Sequence, residues 1–217
     1  NSLDEQSMLL LIDLGIFFEF IPMSEIGSSS PKVLPYWEVE KGENYALVIT
    51  TNSGLWRYMI GDTVKVESVN PVKITISGRV KHFINAFGEE LMVDNAEKGL
   101  AKTCAMTGAV ISNYTAAPVF MSEGSRGRHQ WLIEFDKEPA SLNEFANILD
   151  ASLQEINSDY EAKRYKGIAL ECLEIVSARK GLFEDWLRAK GKLGGQHKVP
   201  RLSNNRTYID DMLKLNK

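Results

Sequence analysis

Two cysteines in 217 residues, Cys104 and Cys172, are too few and too far apart for a disulfide framework. Their apolar surroundings predict two reduced core thiols, as in a cytoplasmic protein. Three histidines, His82, His129 and His197, share no ligand spacing with one another or with the cysteines, which argues against a zinc site. No Ser-His-Asp or Cys-His arrangement is evident. No apolar run reaches the roughly 18 residues of a membrane-spanning helix. The nearest, residues 8–21, is broken by Asp13 and Glu19, and its aromatic content predicts strands. It also lacks the basic start and small-residue cleavage site of a signal peptide. Internal repeats and low-complexity segments are absent. The chain opens on Asn1 instead of Met, from which an upstream part is expected.

Hydrophobic residues make up 44% and charged residues 25%, which places the chain among ordinary globular proteins. Its length suits one large domain or two small ones. The net charge of −4 is unevenly spread. Residues 179–217 carry ten Lys/Arg against four Asp/Glu, the rest fifteen against twenty-five. Such a tail is either a solvated face or a surface for a polyanion such as ATP. It lacks aromatic interleaving and any RNA-binding signature, so nucleic acid is not the expected partner. A non-catalytic module that holds nucleic acid through this tail is one alternative.

The pattern changes near residue 78. Before it, segments 16–21, 45–51, 55–60, 63–69 and 72–76 are short and rich in β-branched or aromatic residues. Turn formers separate them, among them Gly61-Asp62 and Asn70-Pro71. Val72, Ile74 and Ile76 alternate onto one face. These strands predict a small barrel or curled sheet. After residue 78 helix and strand patterns alternate. Asp94 with Glu97, and Ser141 with Glu144, have capping-box spacing. Val93, Ala96, Leu100, Ala101 and Cys104 recur at helical spacing, as do Leu142, Phe145, Leu149, Leu153 and Ile156. A hairpin over 109–136, a strand over 168–177 and helices over 181–190 and from Arg206 complete an α+β unit, with helices against one mostly antiparallel sheet. The expected domains are therefore 1–78 and 79–217.

Three stretches carry chemistry. In GLWRYMIGD, residues 54–62, Asp62 follows a glycine after a strand, and a carboxylate there can accept hydrogen bonds from two adjacent ribose hydroxyls. In SGRVKHFINAFGEEL, residues 77–91, Arg79 and Lys81 make a basic turn. In GGQHKVPR, residues 194–201, Lys198 lies on a glycine-rich loop that Pro200 stiffens, with Arg201 just beyond it. Each has a plainer reading: a hairpin turn, a solvated basic turn and a basic surface loop. Glu19, flanked by Phe17, Phe18 and Phe20, needs a partner if buried.

Together these stretches resemble the plant-type acyl acid–amido synthetases (the auxin-responsive Gretchen Hagen family) and their bacterial relatives, a branch of the adenylate-forming superfamily. GLWRYMIGD resembles their YR-x-G-D motif, IFFEFIP (residues 16–22) their FFEF-x-P strand, and GGQHKVPR their QYKVPR loop. The resemblance covers essentially the whole chain. It implies that Tyr58, Asp62 and Arg79 contact nucleotide and that Lys81 is a hinge. Lys198 would be the adenylation lysine, and Phe18 and Glu19 would lie on the acyl side. It further implies ATP with magnesium, a small carboxylic acid and an amino acid. Residues 1–78 would be the last β-subdomain of a large domain and 79–217 its mobile lid. The family's phosphate loop and its magnesium-binding glutamate are not in this sequence and are expected upstream, so the chain alone is expected to be inactive. An acyl-CoA ligase of the same superfamily is the other alternative.

Overall fold

The computed structural model describes residues 7–80, 82–121, 126–165, 169–192, 194 and 198–217. The chain divides into two units, residues 1–81 and 82–217. Most strand pairs are antiparallel, and the described residues form five α-helices, an α+β fold as expected. No helix among them is long and apolar enough to cross a membrane.

The first unit is one six-stranded antiparallel sheet. Its strands are β1 (Met8–Leu9), β2 (Ile16–Pro22), β3 (Leu34–Pro35), β4 (Asn44–Thr51), β5 (Tyr58–Val69) and β6 (Val72–Arg79), in the order β1-β6-β5-β4-β2-β3. The edge strands β1 and β3 do not pair with each other, so the sheet is open and not a barrel. Period-two alternation puts Phe20, Leu47, Val64, Val66, Val72 and Ile74 into one core. Phe20 meets Tyr45 edge-on there, with ring centroids 5.8 Å apart.

Two bulges set this unit apart from its sequence pattern. Gly61-Asp62 is not a turn between strands, because β5 runs straight through it. Ala46 pairs with Thr63 and Val48 with Met59, so Ile60, Gly61 and Asp62 oppose Leu47 alone. Gly61, at φ 90°, supplies the left-handed backbone that this excess requires. Across β6, Thr63 pairs with Gly78 and Val64 with Ile76, which leaves Ser77 as the extra residue. That insertion reverses the alternation. Ile76 is 61% exposed instead of buried with Val72 and Ile74, and Ser77 turns inward to donate to Thr63 Oγ1 at 3.1 Å.

The second unit has three layers around a three-stranded sheet, order β11-β10-β9. A short pair, β7 (Phe83–Ile84) with β8 (Leu91–Met92), leads into α1 (Val93–Thr107). Next come β9 (Val110–Val119), β10 (Arg128–Lys137), α2 (Leu142–Ile156), α3 (Ser158–Arg164), β11 (Glu174–Ala178), α4 (Leu182–Ala189) and α5 (Thr207–Leu215). β9 is antiparallel to β10, whereas β11 is parallel to it, and α2 and α3 provide the crossover that a parallel pair needs. Trp131, Ile133 and Phe135 of β10 face a core shared with α1 and α2, while Leu132 faces α4 and α5. Helices thus cover both faces of the sheet.

Helix starts also differ from the expected caps. α1 begins one residue before Asp94, and Met92 N–H donates to Asn95 Oδ1 at 3.0 Å. Glu97 instead accepts from the Tyr114 hydroxyl at 2.8 Å. Ser141 caps α2 as expected, accepting from Glu144 N–H. Cys104 and Cys172 are free but half-buried, not core thiols, because Thr103 takes the inward position on α1.

Buried polar groups fix the connections. Asp150 accepts from Tyr160 Oη at 2.7 Å and from Arg164 Nε at 2.8 Å, which ties α2 to α3. The loop between β7 and β8 is pinned by Glu89, fully buried with His129. Glu89 Oε1 lies 2.8 Å from His129 Nε2, and Oε2 accepts from Phe87 N–H at 2.7 Å. Burial alone would raise the Glu89 carboxyl. The hydrogen bond and charge of His129, with backbone N–H groups of Glu89 and Phe87, outweigh it and hold the group below its usual value.

Asp150→Ala should cost about 3–5 kcal/mol in urea unfolding, the scale of a buried ion pair that loses one partner. A cost below about 1 kcal/mol would mean that the pair behaves like an exposed one. Glu89 contributes stability above the ordinary carboxylate pKa of about 4, and that contribution is lost as pH falls through its lower folded value. Stability measured across acid pH should therefore drop less steeply in Glu89→Gln than in the parent chain. Identical acid limbs would contradict the assignment.

Candidate functional site

The two bulges bring Asp62 and Arg79 together. The β5 bulge frees Asp62 from β4, and β6 places Arg79 directly opposite it. Asp62 Oδ1 lies 3.2 Å from Arg79 Nε, and the side chains keep 32% and 69% of their surface open to solvent. The pair is thus anchored but accessible. A carboxylate of this kind can accept from a neighbouring diol, and the remaining guanidinium donors can meet an oxyanion. Tyr58 opens the same strand and is exposed.

Glu19 and Phe18 lie elsewhere on the sheet, on β2. Phe18 packs partly into the first core. Glu19 is gripped twice by Arg57, Nε to Oε2 and Nη2 to Oε1, both at 3.1 Å. This pair spans β4. Arg57 has a positive φ of 44° at this point, in the left-handed region that non-glycine residues rarely adopt. Sequence reasoning left Arg57 unassigned, although it belongs to the same GLWRYMIGD stretch. Lys81 lies outside the described residues, as does His197. His82 is half-buried.

In the second unit, residues 200–203 run beside β9. Thr115 Oγ1 donates to Pro200 O at 2.7 Å, Ala116 N–H to Arg201 O at 2.9 Å, and Ser203 N–H to Ala116 O at 3.1 Å. Lys198 stands just before this anchor, exposed and without an ion pair among the described residues. That sets it apart from most of the basic tail. Arg179, Lys180, Arg188, Lys190, Arg201, Arg206 and Lys214 all have carboxylate partners within 4 Å. Only Asp136 and Glu97 of these partners come from outside the tail, so most of its positive excess remains. Among the described residues no group of three or more His, Cys, Asp or Glu side chains could hold a metal ion.

Residues 9–79 match the central domain of the GH3 family and residues 94–207 its C-terminal domain. The chain is 28% identical to indole-3-acetic acid-amido synthetase GH3.10 of Arabidopsis thaliana, over 89% of this chain and 36% of the relative. It is 26% identical to jasmonoyl-L-amino acid synthetase JAR4 of Nicotiana attenuata, over 85% of this chain and 33% of the relative. It spans about a third of the length of these curated relatives. Its fold matches the solved structure of the GH3.15 acyl acid amido synthetase with a TM-score of 0.65 at 21% identity, over 93% of this chain and 36% of that one. With both halves matched, in order, to successive domains of one family, the chain belongs to the GH3 family.

Proposed function

We propose that this chain is the C-terminal part of an ATP-dependent acyl acid–amido synthetase acting in the cytoplasm. In the first step a carboxylate oxygen attacks the α-phosphorus of ATP and pyrophosphate leaves. In the second an amino-acid amine attacks the acyl carbon and AMP departs with the former carboxylate oxygen, giving an amide. Family membership supports the reaction class. The observation that carries the assignment to residues is the opposition of Asp62 and Arg79 across β5 and β6.

In this reading Asp62 accepts hydrogen bonds from the ribose hydroxyls, with Tyr58 beside it. Arg79 orients Asp62 and meets ribose or phosphate. Glu19, already held by Arg57, and Phe18, on the opposite face of β2, would lie on the acyl side. Lys198 neutralises the charge that gathers on the α-phosphate and the departing pyrophosphate. Its exposure, and the lack of an ion-pair partner among the described residues, suit a group whose partner is a substrate. Residues 1–78 would complete a large domain and 79–217 would form a lid turning about Lys81 between the two steps. Magnesium would accompany the ATP phosphates.

In the full-length protein, Asp62→Ala should weaken ATP binding by about 1.5–3 kcal/mol, the range for a hydrogen bond to a charged group. Equilibrium nucleotide binding checks it, and an unchanged affinity would remove the ribose role. Lys198→Ala should slow ATP–pyrophosphate exchange by about a hundredfold or more, the scale of one lost transition-state contact. Amide formation from pre-made acyl-adenylate should survive. Equal loss of both half-reactions would make Lys198 structural.

A further inference from the structure

We propose that the outer edge of β11 is a pairing surface for a second copy of this chain, and that the Asn216 side chain keeps it closed. The inference stands on the second unit alone and holds whether or not the ligation reading does. The three-stranded sheet has two edges. At β9, residues 200–203 lie alongside Ala116. Beyond β11 no strand follows among the described residues. β11 also carries none of the usual guards of an exposed edge. Glu174–Ala178 contains no proline or lysine, and its five pairs with β10 run without a bulge. Glu174, its one charge, is bound by Arg128 at 3.0 Å.

A single side-chain amide covers part of this edge. Arg179 N–H donates to Asn216 Oδ1 at 2.8 Å, and Asn216 Nδ2 donates to Ser177 O at 3.0 Å. One residue of an added parallel strand would make the same two bonds. Asn216 closes α5, whose Ile209 and Met212 are buried in one core with Ala178, so a packed element holds the amide. Backbone groups alternate in direction along a strand. With Ser177 O turned outward, Ser177 N–H and both groups of Ile175 face outward too, and no described residue bonds to these three. The edge is half covered and half open.

Charge and shape select the occupant. Exposed Glu171 precedes the strand, and Arg179 and Lys180 follow it. A second β11 laid antiparallel about a two-fold axis at Ile175 brings the partner's Arg179 and the partner's Lys180 to Glu171, and the reverse. A parallel copy would set like charges together. Beside the edge, a cleft of about 320 Å³ between α2 and β11 is lined by Leu142, Leu173 and Ile175, among others, and has room for the partner's Ile175. Such pairing extends the sheet from three strands to six. The partner strand would run past Ser177 and Arg179, where the Asn216 amide sits, so Asn216 must leave before the edges can join.

Sedimentation velocity on the full-length protein tests this. The parent should be monomeric at concentrations where Asn216→Ala forms a closed dimer. The dimer dissociation constant should fall at least about tenfold, the scale of the hydrogen bonds that the closed edge loses. Asn216→Asp keeps the acceptor for Arg179 N–H but loses the donor to Ser177 O, and should fall between the two. Adding Ile175→Pro, which removes an outward N–H that β10 does not use, should return Asn216→Ala to monomer. Glu171→Lys, an exposed change that sets like charges across the axis, should do the same and decides the matter if Ile175→Pro does not fold. An Asn216→Ala protein as monomeric as the parent would overturn the proposal. So would a parent already dimeric at the same concentration, association beyond a dimer, or a dimer that neither second substitution weakens.

Discussion

The short parallel alignment of residues 200–203 on β9 is the constraint on which the placing of Arg201 and Leu202 depends. Three hydrogen bonds, from Thr115 Oγ1, Ala116 N–H and Ser203 N–H, fasten a segment that would otherwise be loop. Leu202 is fully buried between them, so the segment cannot slide without exposing core. From that anchor two side chains take opposite environments. Arg201 is laid on Tyr114 beside Glu97. Lys198, before Pro200, is left in the open.

In the first unit the same role falls to strand irregularities. A regular ladder would have paired Asp62 with β4 and sent Ile76 to the core. The extra residues at Ile60–Asp62 and at Ser77 cancel that pattern locally. The buried Ser77–Thr63 hydrogen bond satisfies the hydroxyls that the second bulge turns inward, which keeps the cost of burying them low. What results is an exposed, oppositely charged pair on adjacent strands, with a hydrophobic face on the other side of the sheet.

Much of this was legible in the sequence, and the failures have physical causes. Strands such as IFFEFIP and helices with a stripe such as Leu142, Phe145, Leu149 and Leu153 follow from periodicity, because burial on one face is a local requirement. Gly61-Asp62 read as a turn because glycine serves positive φ in turns and bulges alike, and only the partner strand distinguishes them. α3 escaped notice because seven residues are too few for a periodic signal. The Glu89–His129 pair joins residues forty positions apart, and no spacing rule finds such a contact. Arg57 and Arg201 stood inside motifs already singled out, yet their partners Glu19, Tyr114 and Glu97 come from other elements. The motifs marked the stretches, and tertiary structure showed which side chains meet them.

The central claim is that the full-length protein activates a carboxylate as an acyl-adenylate. Heavy-oxygen label placed in the carboxylate follows that claim atom by atom, because the attacking oxygen stays bonded to the α-phosphorus when the amine displaces the nucleotide. With ATP, labelled acid and amino acid, mass spectrometry should find the label in AMP, with one AMP formed for each amide. Label appearing in inorganic phosphate, with ADP as the nucleotide product, would mean activation at the γ-phosphate and would contradict the account.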